Sequence, residues 1–230
     1  MKAVILAAGL GTRLKPLTNR TPKPMLRLNG KPILEYTIRS FPKEVTDIIL
    51  VVHYRRHQIK QYFKTRFLGK RIHYVYQPKL IGNWDALLRA QRFLKNEKRF
   101  FVSYADDLYS AADIRKMLRY SRALLVTQSK NPERYGVVKT DAKGYVASII
   151  EKPKIYVGRL INVGVYILGP EFFKLPMRKE KDHKEYYLAF AVGELAKKRK
   201  IKAIRTNFWF PIGYREDLEK AKKLVKKLNI

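Results

Sequence analysis

The 230-residue chain contains no cysteine. That absence excludes a disulfide-stapled secreted scaffold, an iron–sulfur cluster, a structural cysteine-zinc site and a cysteine nucleophile, and it points to a reducing, cytoplasmic setting. Acidic residues are scarce, 19 Asp and Glu against 50 Lys and Arg, for a formal net charge of +31. Long apolar runs are missing as well. The apolar start Val4–Ala8 stops at the lower limit for a signal-peptide core and leads into Gly, Thr and Arg. No later stretch approaches the ~20 apolar residues of a membrane span, so no membrane partner is expected. Internal repeats, low-complexity linkers and composition breaks are also absent, which favours one domain spanning residues 1–230. What is present is a hydrophobic fraction of 46% with 12% aromatics, enough for a packed core.

Short Val/Ile-rich runs alternate with longer segments of helical period. This pattern predicts a single α/β domain with a mainly parallel mixed sheet covered by helices on both faces. Strands are expected at Ala3–Ala7, Asp47–Val52, Ile72–Tyr76, Arg99–Tyr104, Ala123–Thr127, Gly136–Lys139, Val146–Ile150, Asn162–Leu168 and Lys202–Arg205. Helices are expected at Pro32–Phe41, Arg56–Phe67, Asn83–Leu94, Ala112–Tyr120, Glu185–Lys198 and from Arg215 to Leu228, with Asn83 as an N-cap.

Positive charge is concentrated in places. From Ile48 to Trp84 there is no acidic residue, while Arg55, Arg56, Lys60, Lys64, Arg66, Lys70 and Arg71 fall inside that stretch. Lys197–Lys202 and Lys220–Lys227 are also rich in lysine. No RRM, helix-turn-helix or zinc-finger signature accompanies them, so they read as solvated helix faces and no nucleic-acid partner is expected. His53 and His57 stand four apart, but a strand end and the lack of a partner carboxylate argue for surface histidines. Tyr186-Tyr187 and Phe208-Trp209-Phe210 read as core or site-wall packing.

After the first strand comes Gly9-Leu10-Gly11-Thr12-Arg13-Leu14-Lys15-Pro16, then Pro22-Lys23-Pro24-Met25. A glycine-rich turn at a strand's carboxyl end lets backbone N–H groups approach phosphate oxygens. It is not a dinucleotide fingerprint, since Leu14 occupies the third glycine position, and no Gly-Lys-Ser/Thr of a Walker loop follows. Arg13 and Lys23 add two cations able to reach a triphosphate.

With these residues the sequence resembles the sugar-1-phosphate nucleotidyltransferase family. Leu6–Pro16 and Pro22–Met25 match its leading motif. The likeness continues through Gly30–Tyr36, Gln77-Pro78 with Gly82, Asp106, Arg134–Val138, Glu151-Lys152-Pro153 and Asn162–Tyr166. The resemblance implies a Rossmann-like fold and transfer of a nucleotidyl group from a nucleoside triphosphate, UTP or dTTP favoured, to a sugar 1-phosphate with release of pyrophosphate. It assigns Leu6, Gly9, Gly11, Thr12, Gln77 and Gly82 to the nucleotide, and Arg13 and Lys23 to the phosphates. Gly136, Glu151, Lys152 and Asn162 fall to the sugar phosphate. Asp106 becomes a ligand for Mg²⁺, an ion suited to oxygen donors and phosphates. If the strand before Asp106 and Asp107 persists, only one of the two faces the site. With the chain ending at Ile230, the added left-handed β-helix of some relatives is not expected. Self-association is left open.

One position departs from the family. Where relatives carry a second metal-binding carboxylate, this chain reads Trp209-Phe210-Pro211-Ile212-Gly213, and Pro211 cannot ligate through its side chain. Two alternatives follow: a cytidylyltransferase acting on a phosphorylated alcohol, opposed by Glu151 and Asn162, and a non-catalytic nucleotide or sugar-phosphate sensor, opposed by the retained Arg13, Lys23 and Asp106.

Overall fold

The computed structural model describes residues 1–181 and 183–228. Strand β1 (Lys2–Ala7) leads through a loop with three short 3-10 turns into a hairpin, β2 (Arg27–Leu28) and β3 (Lys31–Pro32), and then α1 (Ile33–Ser40). β4 (Asp47–Val52) and α2 (Arg56–Phe63) follow, then a second hairpin of β5 (Arg66–Phe67) and β6 (Lys70–Tyr76). Next come α3 (Asn83–Arg89), β7 (Phe100–Tyr104), β8 (Asp107–Tyr109) and α4 (Ala111–Met117). The remaining elements are β9 (Ala123–Gln128), β10 (Gly136–Thr140), β11 (Val146–Glu151), β12 (Leu160–Leu168), α5 (Leu188–Ala196), β13 (Lys202–Arg205), β14 (Trp209–Pro211) and α6 (Arg215–Leu228).

Ten strands form one mixed sheet in the order β11-β10-β12-β7-β1-β4-β6-β5, with β9 pairing β12 and carrying β13. Its centre is parallel: β1 pairs β4 and β7, and β4 pairs β6. β12 enters antiparallel to β7 and turns the sheet toward β10 and β11. β1 reads as an unbroken apolar run because both its faces are covered. Val4 and Leu6 join the core under α3 and α5, while Ala3, Ile5 and Ala7 join the core under α1, α2 and α4. A third cluster packs α6, through Leu218, Ala221 and Val225, onto Leu14, Ile33 and Ile212. That cluster fixes the loop after β1 to the C-terminal segment.

Several sequence-based boundaries move, each for a local reason. The helix expected to reach Phe67 stops at Phe63, because Lys64 adopts φ +49° and the chain turns back as β5 to pair β6. The helix expected to reach Leu94 breaks after Arg89 into a 3-10 turn at Gln91–Phe93. Asn83 does not cap α3, whose N-cap is Gly82. Its side chain instead accepts a hydrogen bond from the Leu188 N–H at 2.6 Å, satisfying an otherwise unpaired amide at the start of α5. His53 is half-buried and not a surface histidine: its Nδ1 lies 2.7 Å from the Gln77 carbonyl, and its ring lies parallel to that of Tyr76. His57 is exposed.

Candidate active site

The carboxyl ends of β1 and β7 open into a cleft of about 960 Å³, at the place where a parallel sheet leaves room for a ligand. Every residue that the family resemblance assigns to nucleotide, sugar phosphate or metal lines this cleft: Leu6, Gly9, Gly11, Thr12, Arg13 and Lys23 from β1 and its loop, and Gln77 and Gly82 before α3. Asp106 comes from the end of β7, and Gly136, Glu151, Lys152 and Asn162 from β10 to β12.

At one end the loop folds back on itself. Gly11 has φ +66°, and a Cβ there would sit 2.8 Å from Lys23 Cβ, so glycine lets the Lys23 segment cross beneath it. Thr18 Oγ1 donates to the Gly11 carbonyl at 2.9 Å and pins the crossing. Lys23 Nζ thereby reaches Asp106 Oδ2 at 2.5 Å. Burial pulls the Lys23 ammonium down, but Asp106 and Asp107 outweigh it and hold its pKa above the usual lysine value. Arg13 lies over the Tyr214 ring, 5.8 Å from its centre, and Arg134 shares the ring at 5.2 Å while donating from Nη2 to the Tyr214 hydroxyl at 2.8 Å. Three cations thus stand along one wall of the cleft.

The strand does not persist through the two aspartates. β7 ends at Tyr104, the chain turns at Ala105-Asp106, and Asp107 begins β8, paired with β14. Asp106 stays accessible at the cleft, with its side chain 33% exposed. Asp107 is buried and accepts from Trp209 Nε1 at 3.0 Å and the Ile212 N–H at 3.3 Å. Burial and the neighbouring Asp106 charge push its pKa up to about 7. Pro211 stands opposite Asp107 in the β8–β14 register. Among the described residues no group of three His, Cys, Asp or Glu gathers to hold a metal. One accessible carboxylate still suits Mg²⁺, which binds through one or two carboxylates and takes the rest of its shell from phosphates and water.

Toward α3, Gly82 (φ +135°) lies against the backbone of Tyr186, where a Cβ would meet the Tyr186 carbonyl oxygen at 2.3 Å. Gln77 is buried and spends its Nε2 hydrogens on the Gly82 carbonyl at 3.0 Å and Asp85 Oδ2 at 2.9 Å. Its Oε1 is left as an acceptor.

The opposite end is built on a close pair of strands. Gly136 faces Glu151 across β10 and β11, and a Cβ at Gly136 would come within 2.9 Å of Glu151 Oε2, so glycine makes room for the carboxylate. Glu151 is buried, which drives its pKa to about 7 despite the opposing Lys152 charge, with Glu180 and Glu185 pushing the same way. Lys152, at φ +44°, carries its ammonium over the Tyr187 ring and donates to the Tyr187 hydroxyl at 3.2 Å. Asn162 accepts from the Gly164 N–H at 2.8 Å and donates to the Tyr166 hydroxyl. The buried Tyr166 and Tyr104 phenols influence each other electrostatically, and Tyr104 accepts from Asn83 Nδ2 at 2.9 Å. Two neighbouring phenols therefore stand between Asn83 and Asn162. Tyr104 fits because Gly164 (φ +83°) has no Cβ, which would fall 2.2 Å from the tyrosine ring.

Sequence reasoning missed Tyr104, Arg134 and Tyr214 as cleft residues. Arg134 lay inside a matching motif, while Tyr104 and Tyr214 carried no local signal, since their contacts join distant parts of the chain. Tyr187 and Trp209 line the cleft, in keeping with the expected core or site-wall packing, while the Tyr186 backbone packs against Gly82.

A protein named bifunctional protein GlmU from Methanocaldococcus jannaschii is 35% identical over 232 residues, covering 100% of this chain and 55% of that protein. The chain thus spans about half the length of this relative. A D-glycero-alpha-D-manno-heptose 1-phosphate guanylyltransferase from Campylobacter jejuni is 36% identical over 220 residues, covering 94% of this chain and 96% of that one. The fold matches a UDP-glucose pyrophosphorylase solved with UDP-glucose at a TM-score of 0.85 and 22% identity, across 99% of this chain and 98% of that one. The family model described as nucleotidyl transferase matches residues 2–227, and with that match the chain belongs to the nucleotidyl transferase family.

Proposed function

We propose that the chain transfers a nucleotidyl group from a nucleoside triphosphate to a sugar 1-phosphate, giving a nucleotide sugar and pyrophosphate. The observation that carries this reading is the shared cleft, with Arg13, Lys23 and Asp106 at one end and Glu151, Lys152 and Asn162 at the other.

The sugar phosphate is already largely dianionic at neutral pH, its second pKa being near ~6, so no general base is needed. The work left to the protein is positioning and charge neutralisation during in-line attack on the α-phosphorus. The Gly9–Thr12 loop offers backbone N–H groups to the nucleotide. Arg13 and Lys23 neutralise the phosphates and the departing pyrophosphate. Lys152 meets the incoming phosphate, while Glu151 and Asn162 orient sugar hydroxyls. Asp106, with nucleotide phosphates and water, would hold Mg²⁺, whose chemistry there is charge neutralisation on the reacting phosphate. Lys23 then leaves Asp106 for a phosphate oxygen.

The Gln77 geometry bears on the base. An amide that presents only its oxygen accepts from a ring N–H, which uracil, thymine and guanine carry on the edge where cytosine and adenine carry a bare nitrogen. This supports UTP or dTTP. GTP is the second reading, favoured by the guanylyltransferase relative that aligns over nearly its full length.

The test is pyrophosphate release in Mg²⁺, crossing the common nucleoside triphosphates with a panel of sugar 1-phosphates and using Asp106→Asn as the blank. Release that needs one triphosphate and one sugar phosphate is the expected outcome. No release above the blank with any pair overturns the enzyme reading in favour of a binding module.

A further inference from the structure

Part of the acid-free stretch from Ile48 to Trp84 gathers on one exposed face formed by α2 and β6. Arg56 and Lys60 stand one turn apart on the exposed side of α2, with Lys64 just past the helix end, while Ile59 and Phe63 face the core. Four helical residues rise ~6 Å, comparable to the separation of successive phosphates along an extended single strand. Beside this ladder runs β6, whose Tyr74 and Tyr76 share one face of the strand. Arg56 lies over the Tyr76 ring, 4.2 Å from its centre, and Lys60 over the Tyr74 ring at 5.5 Å. Tyr74 also donates to the Lys64 carbonyl at 2.6 Å, holding helix and strand in register.

Two carboxylates of neighbouring elements are engaged away from this face. Asp47 is occupied by Arg71 and His73, which project from the other side of β6. Glu35 accepts from Tyr62 and Arg39. Neither the ladder nor the two rings line the cleft, so the proposed reaction leaves them unused.

We propose that this α2–β6 face binds single-stranded nucleic acid, its cations tracking phosphates and its tyrosine–cation pairs serving as platforms for bases. Alternating cations and rings is the arrangement that single-strand binding needs, since backbone charge supplies affinity and every base has a π-face to stack. A lipid surface fits less well. It rewards aliphatic side chains that insert, and the exposed positions on this side of α2 are Arg56, His57, Lys60, Gln61 and Lys64. The sequence alone carries no such signature, because the rings and cations come from segments separated by a hairpin.

The experiment is a fluorescence-anisotropy titration of labelled 20-nucleotide oligo(U) and oligo(dT) at several salt concentrations. Wild-type protein is compared with Arg56→Ala/Lys60→Ala, with Tyr76→Ser and with a charge-matched control on α6, Lys223→Ala/Lys227→Ala. Thermal melts verify that each variant is folded. Removing the two α2 cations is expected to weaken binding about tenfold and to lower the salt slope by about 1.4, two phosphate contacts at ~0.7 each. Tyr76→Ser is expected to weaken binding about fivefold or more with an unchanged slope, and the α6 control to stay within about twofold. The arms with RNA and DNA distinguish the two sources of strand. Equal weakening by the α2 and α6 pairs means diffuse charge attraction and overturns the proposal. So does binding to anionic vesicles or polyglutamate with no binding to either oligonucleotide.

Discussion

Pro211 faces Asp107 across the β8–β14 pair, so a side chain with no ligand atom stands opposite a carboxylate already engaged by Trp209 and the Ile212 N–H. Pro211→Asp adds a carboxylate near Asp106 at the same end of the cleft. The Mg²⁺ concentration for half-maximal pyrophosphate release should fall about tenfold, equivalent to ~1.4 kcal/mol. An unchanged Mg²⁺ titration would show that position 211 does not reach the ion.

The contact between Lys23 and Asp106 makes a second test. Burial disfavours the ammonium and the two aspartates restore it, so Lys23 stays charged through neutral pH. Lys23→Ala should lower kcat by about 10²–10³, the range seen when a group that stabilises transition-state charge is removed, with the KM for the sugar phosphate changing little. Asp106→Asn should abolish turnover. Near-normal activity in that variant would sink the metal assignment.

Much of this cleft was legible beforehand, because phosphate-approaching glycines, paired cations and strand-end carboxylates sit in short contiguous blocks. The strands Asp47–Val52 and Lys202–Arg205 were also readable to the residue from their apolar runs. What escaped was tertiary. Arg134 and Tyr214 meet across 80 positions of sequence, Asn83 serves α5 instead of its own helix, and the hairpins of two-residue strands are too short to show a period of two. Asp106 and Asp107 separate because a turn intervenes, which alternation along one strand does not foresee.

Glu151 gives a pH test with a definite sign. Its folded pKa of about 7 lies above the ordinary carboxylate value, so the folded state binds the proton more tightly than the unfolded one. Stability contributed by the protonated form is therefore complete in acid and is lost as pH rises through about 7. Glu151→Gln should raise the melting temperature at pH 8 by roughly 2–6 °C and leave it nearly unchanged at pH 4. If the ionised carboxylate is what accepts from sugar hydroxyls, the wild-type KM for sugar phosphate should fall as pH rises through the same window, and the variant should lose that dependence. Equal melting shifts at both pH values would refute the buried-charge account.

Gly164 and Tyr104 offer a paired test. Gly164→Ala places a methyl group inside the Tyr104 ring and adds strain at φ +83°. A loss of about 2–4 kcal/mol in unfolding free energy is expected from overpacking and backbone strain together. Adding Tyr104→Ala should recover part of the stability but not the KM for the sugar phosphate, because the Tyr104 ring that packs against Gly164 beside Asn162, and its hydrogen bond from Asn83, are lost. Full loss in the double variant, as in the single one, would place the damage in the backbone alone.

The central position of β1 also sets a hierarchy of motion. Its residues pair on both edges with parallel neighbours, so its amides exchange with solvent only when the whole sheet opens. The loop that it feeds is fastened differently, by separate tethers: Thr18 to Gly11, Tyr54 to the Asn19 carbonyl and Gln58 to the Arg20 carbonyl. In hydrogen exchange the strand reports global unfolding, while the loop opens at lower cost. In the proposed reaction, the loop's grip on a triphosphate loosens for product release while the floor beneath it stays shut.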